Sequence, residues 1–151
     1  MFFVYRICKK IYNPADSSGA TRIPGRWHNL GQKVLYFSSS LALCVLELRA
    51  NSVSFSTIRN EFHYTRTEID SNIFSVFEVP DSFYTKNWTL NNNLTREFGG
   101  EWYRKNSTLF LKVRSAVLPT DYNYILNAAH PDFRKIIFPK PLNIPLDTRV
   151  Q

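Results

Sequence analysis

The sequence predicts one mixed α+β domain, with a central antiparallel or mixed sheet and a few helices. The chain has 151 residues, the length of one ordinary domain, so residues 1–151 are assigned to a single unit. Hydrophobic residues make up 44% of the chain, which is enough for a buried core. Short aromatic and β-branched segments outnumber the helical ones and do not alternate regularly with them, which favours an α+β arrangement.

The first part of the chain contains two predicted strands and one helix. Phe2 to Ile7 is aromatic, β-branched and short, as expected of an opening strand. Asn13 to Gly25 is rich in loop-forming residues, and Val34 to Phe37 is a second short strand. Ser38 to Ser40 supply N-cap candidates, and a helix is predicted over Leu41 to Ala50.

The middle of the chain gives weaker signals. Residues 51–72 are polar and ambiguous. Thr95 to Lys105 is predicted as a helix capped by Thr95, although Gly99 and Gly100 weaken it.

Three further strands and a long loop complete the prediction. The strands are Ile73 to Val79, Leu109 to Val113 and Arg134 to Phe138. Ser115 to Pro119 either extends a strand or begins a turn, and Tyr122 to Phe133 is predicted as an irregular loop. Pro139, Pro141 and Pro145 exclude a central strand or a helix in the tail.

Charge and composition exclude several classes of protein. The net charge of +7 favours an anionic partner, but no run reaches five Lys or Arg residues, so a solvated surface is the simpler interpretation. Cys8 and Cys44 belong to no metal-binding pattern, and no metal is expected. No uncharged apolar run approaches the roughly 18 residues of a membrane helix. The apolar N-terminus is unlike a signal peptide, so a cytoplasmic location without membrane contact is expected.

Glu47 is the residue that is least expected in its context. It is the one acid in the apolar helix Leu41 to Leu48, which should be largely buried. A buried carboxylate is costly unless it is paired, so Glu47 is a site candidate. The alternative is that Glu47 ends the buried stretch and pairs with Arg49 or with solvent.

Arg26 and Tyr36 are two further candidates. Arg26 follows Pro24-Gly25 on a constrained loop, where a guanidinium suits phosphate binding, and Tyr36 lies in the strand before the helix. Considered alone, Arg26 would be a surface arginine and Tyr36 would be a core tyrosine. The order of loop arginine, strand tyrosine and helix glutamate allows the three side chains to converge, without requiring it.

An ordered set of motifs resembles the RES family, named for its Arg, Glu and Ser. The matching segments are Tyr5-Arg6-Ile7, Gly25-Arg26-Trp27, Leu35-Tyr36, Leu46-Glu47, the helix positions Thr95, Gly99 and Trp102, Ser115-Ala116-Val117, Asn123 to Asn127, and His130 to Phe133. Together they run from about residue 5 to 149. The departures are His28, which comes before Asn29 where the family has Asn directly after Arg-Trp, and Arg114 and Ala128, which replace prolines.

The resemblance implies a toxin of a bacterial toxin–antitoxin pair with an ADP-ribosyltransferase-like fold. Family members degrade NAD+ by hydrolysis or phosphorolysis, or transfer ADP-ribose to a protein. NAD+ is then a substrate, and no cofactor is implied. The implied partner is an Xre-type antitoxin whose C-terminal part blocks the active site, so contact with DNA would be indirect; a toxin homodimer is also implied.

The residue roles are hypotheses that join this chemistry to the motifs. Glu47 would stabilise an oxocarbenium-like ribose, Arg26 would hold the pyrophosphate, and Tyr36 would stack on nicotinamide. The expected substrate-binding residues are Arg6, Trp27, Ser115 and Asn123. His130 is a conceivable base, but a loop histidine is the simpler interpretation. The alternatives to NAD+ degradation are a protein ADP-ribosyltransferase, a basic RNA-binding or RNA-cleaving toxin, and an inactive module that only binds an antitoxin.

Overall fold

All seven strands belong to one mixed sheet in the computed structural model, which describes residues 1–151. The strands are β1 (Phe2–Lys9), β2 (Val34–Ser38), β3 (Phe62–Ile69), β4 (Val76–Glu78), β5 (Phe110–Arg114), β6 (Tyr122–Asn127) and β7 (Leu142–Asn143). Their order across the sheet is β4-β5-β6-β2-β1-β3-β7. Only β4 and β5 are parallel, and every other neighbouring pair is antiparallel. The predicted α+β class is confirmed.

Four helices connect the strands. They are α1 (Ser18–Arg22), α2 (Leu41–Ala50), α3 (Phe55–Glu61) and α4 (Asn92–Lys105). Helix α2 has the predicted bounds, because Ser40 accepts a hydrogen bond from the backbone N–H of Leu43 and so caps the first turn. None of these helices is long and apolar enough to cross a membrane.

The sheet opens between β1 and β2. Strand β1 pairs with β3 along its whole length, and β2 pairs with β6 along its whole length. In contrast, β1 and β2 pair only where Tyr5 lies opposite Ser38. Arg6 occupies the gap and donates hydrogen bonds from Nη1 to the carbonyl oxygen of Tyr36 (3.2 Å) and from Nε to that of Pro14 (2.7 Å). The opening therefore places a largely buried cationic side chain at the middle of the sheet.

Both faces of the sheet are covered by apolar side chains. One face carries a core of aliphatic and aromatic residues: Val4, Leu35, Phe37, Ile69, Phe74, Leu109, Phe110, Tyr124, Leu126 and Ile136. The other face carries the tryptophan-rich core: Trp27, Val34, Val79, Trp88, Trp102, Leu111, Val113 and Ile125. Because both faces are packed, the strands are held rigidly beneath the loops and helices that line the opening.

Helix α4 packs closely on the loop that precedes β2. A Cβ atom at Gly99 would overlap the carbonyl group of Trp27, and one at Gly100 would overlap the side chain of Asn29. The two glycines were expected to weaken this helix, and the structure supplies the reason for their presence: they allow helix and loop to touch. The helix begins earlier than predicted, since Asn91 caps it and Thr95 is a buried interior residue.

Several predicted elements were wrong. Tyr122 to Phe133 is not an irregular loop throughout, because Tyr122–Asn127 forms the central strand β6. Arg134 to Phe138 is not a strand; its first two residues end a 3-10 turn over Pro131–Lys135, and the segment pairs with no strand. The strand predicted over Ile73 to Val79 is shorter and covers only Val76–Glu78.

Other segments hold more structure than the sequence suggested. The predicted loop Asn13 to Gly25 contains the short helix α1, and the ambiguous residues 51–72 contain α3 and β3. The proline-rich tail adds only the two-residue edge strand β7, as expected of a segment that cannot enter the centre of a sheet.

Helix α2 is less buried than its composition suggests. Only Leu43 and Cys44 are fully buried, and Leu46 is 41% exposed. The helix covers β1 and β2 with one side and leaves its other side at the surface. Glu47 therefore lies at the margin of the sheet opening instead of inside an apolar core.

Candidate active site

A cavity of about 630 Å³ occupies the opening between β1 and β2. This volume lies within the range of small-molecule sites, about 300–1,000 Å³. Five of the seven site residues predicted from the sequence line it: Arg6, Arg26, Tyr36, Glu47 and Asn123. Trp27 and Ser115 do not.

Glu47 is held in the cavity by two hydrogen bonds to one carboxylate oxygen. Its Oε1 accepts from the Ser115 hydroxyl at 2.7 Å and from the Asn123 amide at 2.7 Å. The other oxygen, Oε2, has no hydrogen-bond partner within the chain. The carboxylate is therefore fixed in orientation and retains one free oxygen for a ligand, in contrast to the alternative of a pair with Arg49.

Ser115 lies beneath Glu47 and is fully buried. Its oxygen accepts from the backbone N–H groups of Val117 and Leu118, both at 3.1 Å, so its own proton is directed at Glu47. The position does not support the expected direct contact of Ser115 with substrate. Ser115 orients the carboxylate, and a nucleophilic role is likewise absent from this geometry.

Asn123 is oriented in turn by Ser38. The two residues lie opposite each other in the β2–β6 pairing, and the Ser38 hydroxyl donates to Asn123 Oδ1 at 2.8 Å. This bond occupies the carbonyl side of the amide, so the Nδ2 side is directed at Glu47. The result is a chain of hydrogen bonds that runs from Ser38 through Asn123 to Glu47.

Three arginines line the same cavity without a carboxylate partner. Arg6, Arg26 and Arg96 are bound to backbone carbonyl groups: Arg26 Nη1 donates to Thr89 (2.7 Å), and Arg96 Nε donates to Gly25 (2.9 Å). Burial lowers the pKa of Arg6, against smaller effects of neighbouring groups. With Glu47 as the one acid in the lining, the cavity carries excess positive charge, which suits a phosphorylated ligand.

Tyr36 is fixed by a histidine that the sequence analysis treated only as a departure. His28 is buried; its Nε2 lies 2.9 and 3.0 Å from the carbonyl oxygens of Ala20 and Ile23, and its Nδ1 lies 2.7 Å from the Tyr36 hydroxyl. Burial lowers the pKa of His28 and so favours the neutral imidazole. Two carbonyl acceptors then place its one ring proton on Nε2, so Nδ1 accepts from the phenol. Burial raises the pKa of Tyr36, and the hydroxyl also accepts from the Trp27 N–H at 3.2 Å.

Trp27 is part of the core and not of the cavity. Its indole is 2% exposed and packs against Phe83, Trp88 and Phe98. The substrate-binding role expected for Trp27 does not fit this position, because no face of the ring reaches the cavity lining. Its backbone instead helps to hold Tyr36.

His130 lies outside the cavity. Its Nδ1 accepts from the backbone N–H of Asp132 at 3.1 Å, so the residue caps a 3-10 turn, which matches the simpler interpretation of a loop histidine. Cys8 and Cys44 are both free thiols, and no group of three or more His, Cys, Asp or Glu side chains is placed to hold a metal ion.

His28, Ser38 and Arg96 are residues of the site that were not predicted from the sequence. Ser38 was assigned only as an N-cap candidate, and Arg96 was not singled out. The Ser38–Asn123 and Arg96–Gly25 hydrogen bonds join residues that are 85 and 71 positions apart. Contacts between residues so far apart in the sequence cannot be predicted from a local pattern. For Ser38, its position as a polar residue at the end of a predicted strand could have indicated a role in the site.

The fold and this cavity define a small α+β protein with an arginine-lined site around one fixed carboxylate. The model of the RES domain family matches residues 3–147, and the chain therefore belongs to the RES domain family. The resemblance seen in the sequence is confirmed, and with it the assignment as a toxin-type enzyme that uses NAD+.

Individual relatives agree with this family. The chain is 29% identical to "Toxin Res" of Photorhabdus laumondii subsp. laumondii, over 97% of this chain and 96% of that protein. It is also 29% identical to "Toxin Res" of Yersinia enterocolitica, over 98% and 99% of the two chains. A "Prs ADP-ribosylating toxin" of Sphingobium sp. is 29% identical over 84% of this chain and 81% of its own.

A solved structure shares the fold. A chain of the M. tuberculosis MbcT-MbcA toxin-antitoxin complex superposes with a TM-score of 0.71, covering 95% of this chain and 84% of its own. The sequence identity is 13%, so this likeness concerns the fold alone.

Proposed function

We propose that this protein is a RES toxin that cleaves the bond between nicotinamide and ribose in NAD+, with water or phosphate as acceptor. The observation that carries the proposal is the Glu47 carboxylate, which is fixed by Ser115 and Asn123 and faces an arginine-lined cavity. A preorganised anion is the group that this reaction needs, because its barrier lies in a cationic, oxocarbenium-like ribose.

The cleavage can be written as a balanced reaction that uses neither a metal ion nor a redox partner. The glycosidic C–N bond breaks, and its electron pair leaves with nicotinamide, which departs as a neutral molecule. Glu47 Oε2, the oxygen without a partner in the chain, would accept a hydrogen bond from a ribose hydroxyl and stabilise the developing positive charge. Water then adds to the ribose carbon and releases a proton, giving ADP-ribose; phosphate as acceptor adds at the same carbon and gives ADP-ribose phosphorylated there.

The other residues of the cavity would bind and orient NAD+. Arg26 and Arg96 present guanidinium groups from the loop and from α4, and they would hold the pyrophosphate. Tyr36 presents a ring whose hydroxyl is immobilised by His28, so the ring can form a fixed wall for nicotinamide and exclude water. NAD+ is a substrate in this proposal, not a resident cofactor.

An antitoxin is the proposed protein partner. The support is the fold shared with a chain of a toxin–antitoxin complex and the toxin names of the relatives. An Xre-type antitoxin, a toxin homodimer and action in the cytoplasm are the finer parts of the same proposal, and they rest on the resemblance alone. The expected mode of inhibition is occlusion of the cavity that contains Glu47.

The test is incubation of the purified protein with NAD+, with and without inorganic phosphate, and separation of the products by chromatography. Release of nicotinamide is expected, and the second product identifies the acceptor. NAD+ that stays intact under all conditions, while the protein binds RNA in a strongly salt-dependent manner, would reject the proposal in favour of a nucleic-acid-directed toxin.

A protein ADP-ribosyltransferase is the second candidate. It is favoured by the name of the Sphingobium relative, which is an ADP-ribosylating toxin. The same cavity and the same bond cleavage serve both reactions, and only the acceptor differs. NAD+ labelled in the adenylate moiety separates them: label on a cellular protein supports transfer, and label only in small molecules supports degradation.

A further inference from the structure

A second cavity adjoins the first on the other side of Arg6. Its volume is about 420 Å³, and it is bounded by the end of β1, the loop that follows and α1. The two cavities share four lining residues, Arg6, Pro24, Gly25 and Tyr36. They therefore form two compartments that meet at a buried guanidinium group.

The second compartment has the chemistry of a nucleoside site. Tyr12 and Ile23 line it and are 53% and 71% exposed, so an aromatic ring and an aliphatic side chain stand open at its rim. A purine base can stack on such surfaces whatever hydrogen-bonding groups it carries at its edge. Asp16 also lines the cavity; its Oδ1 accepts from the Ser18 N–H at 2.9 Å, and its side chain is exposed. An exposed carboxylate is a suitable acceptor for ribose hydroxyl groups.

The position of Glu47 decides which part of a dinucleotide each compartment receives. Glu47 lines the first cavity and not the second, so the ribose whose bond breaks belongs in the first. A pyrophosphate held in the first cavity by Arg26 and Arg96, with Arg6 at the boundary, would then direct the remaining half of the molecule into the second compartment. Arg22, which also lines the second cavity, adds positive charge there.

We propose that the second cavity binds the adenosine half of NAD+, with the base against Tyr12 and Ile23, and the ribose on Asp16. This inference rests on the proposed use of NAD+. It deepens that proposal because it assigns binding energy to residues that are remote from the reacting bond.

The experiment compares NAD+ with nicotinamide mononucleotide, which has the same glycosidic bond but lacks the adenylate. Tyr12→Ala and Ile23→Ala should each raise KM for NAD+ by about tenfold, the loss expected when a base loses one stacking surface. Neither variant should change kcat/KM for the mononucleotide. Ile137→Ala is the matched control, since Ile137 is 84% exposed and lines neither cavity.

A binding measurement separates this inference from the proposed function. Adenosine monophosphate should bind the wild-type protein in calorimetry, and Tyr12→Ala and Asp16→Asn should weaken that binding about tenfold. If NAD+ is not consumed but this pattern of nucleotide binding is found, the cleavage proposal fails and the subsite stands. If NAD+ is consumed but the variants leave KM unchanged, or affect both substrates equally, the subsite proposal is overturned.

Discussion

The Nδ1 atom of His28 lies 2.7 Å from the hydroxyl oxygen of Tyr36, and burial lowers the pKa of His28 and raises the pKa of Tyr36, so both groups favour the neutral form. Burial favours the neutral imidazole, and because His28 Nε2 faces two backbone carbonyls, its one ring proton lies there and Nδ1 accepts the phenolic proton. A protonated imidazole has no acceptor nitrogen, so it could not receive this hydrogen bond. Tyr36 is therefore a fixed, neutral wall of the active site.

The first prediction concerns the stability of the protein against pH. Burial lowers the pKa of His28 from its ordinary value of 6.5. Below pH 6.5 the unfolded chain binds a proton at this position that the folded chain resists, so stability is lost as the pH falls through the folded-state pKa. The melting temperature of the wild type should fall between pH 7 and pH 5, and that of His28→Gln should fall less.

The strongly hydrogen-bonded carboxyl groups do not titrate between pH 7 and pH 5. The pKa values of Asp16, Glu101, Asp132 and Asp147 are lowered from ordinary values of 3.8 or 4.5, so their contributions are lost only at lower pH. If the melting temperatures of the wild type and of His28→Gln fell equally between pH 7 and pH 5, the assignment of a neutral, buried His28 would be contradicted.

The second prediction is that Glu47→Gln folds normally and loses most of its activity. Glutamine retains an oxygen that can accept from Ser115 and Asn123, but it removes the negative charge. Loss of one preorganised electrostatic group lowers kcat by roughly 10²–10³-fold. The rate of nicotinamide release measures the effect. Glu68→Gln, at an exposed position on β3, is the charge-matched control and should keep full activity.

The third prediction is that Ser38 acts through Asn123. Ser38→Ala removes the donor to Asn123 Oδ1, so the amide is free to turn away from Glu47. A single net hydrogen bond of about 1 kcal/mol corresponds to a roughly fivefold loss of kcat. KM should stay unchanged, and Ser38→Thr should restore the rate because it keeps the hydroxyl.

Asn123→Ala provides the comparison for Ser38. It removes a hydrogen bond to a charged group and should cost about ten- to a hundredfold in kcat. In the double variant, the Ser38 change should have no further effect, since its partner is absent. Additive losses in the double variant would show that Ser38 acts by another route.

More of the active site than of the sheet could be predicted from the sequence. Helix α2 and its Ser40 cap could be predicted, because capping and apolar composition are local signals. Strand β6 could not, since Asn123 and Asn127 resemble loop residues. In the folded chain Asn127 is fully buried, and its amide donates to Asn106 Oδ1 at 2.8 Å, so distant partners satisfy the polar groups of a central strand.

The same reasoning explains which site residues were found. Arg26, Tyr36 and Glu47 lie within one short stretch of sequence; Glu47 is an unusual residue for an apolar helix, and the resemblance to the RES motifs selected the other two. Trp27 was expected to bind substrate as a member of the Gly25-Arg26-Trp27 motif, but adjacent residues on an extended loop point in different directions, and its indole enters the core. Proximity in sequence predicted the region of the site without the direction of each side chain.

The fourth prediction concerns the contact between α4 and the loop before β2. Gly99→Ala would place a methyl group on the backbone carbonyl of Trp27, so the helix or the loop must move. We expect a loss of about 1–3 kcal/mol in the free energy of unfolding, measured with urea. Gly19→Ala is the control: a methyl group there meets no atom within 4 Å, and stability should be unchanged or higher by up to about 1 kcal/mol. Equal stability of the two variants would exclude close packing as the reason for Gly99.

The fifth prediction tests whether Arg26 and Arg96 act on substrate binding. Each guanidinium is anchored to a backbone carbonyl, so replacement by glutamine removes a positive charge from the cavity with little effect on the core. A charge-assisted bond to phosphate contributes about 1.5–3 kcal/mol, which corresponds to a rise in KM for NAD+ of roughly 10- to 100-fold. Arg134→Gln, at an exposed position outside the cavity, should leave KM unchanged. If Arg26→Gln and Arg96→Gln lowered kcat at constant KM, the two residues would act in the transition state and not in holding the pyrophosphate.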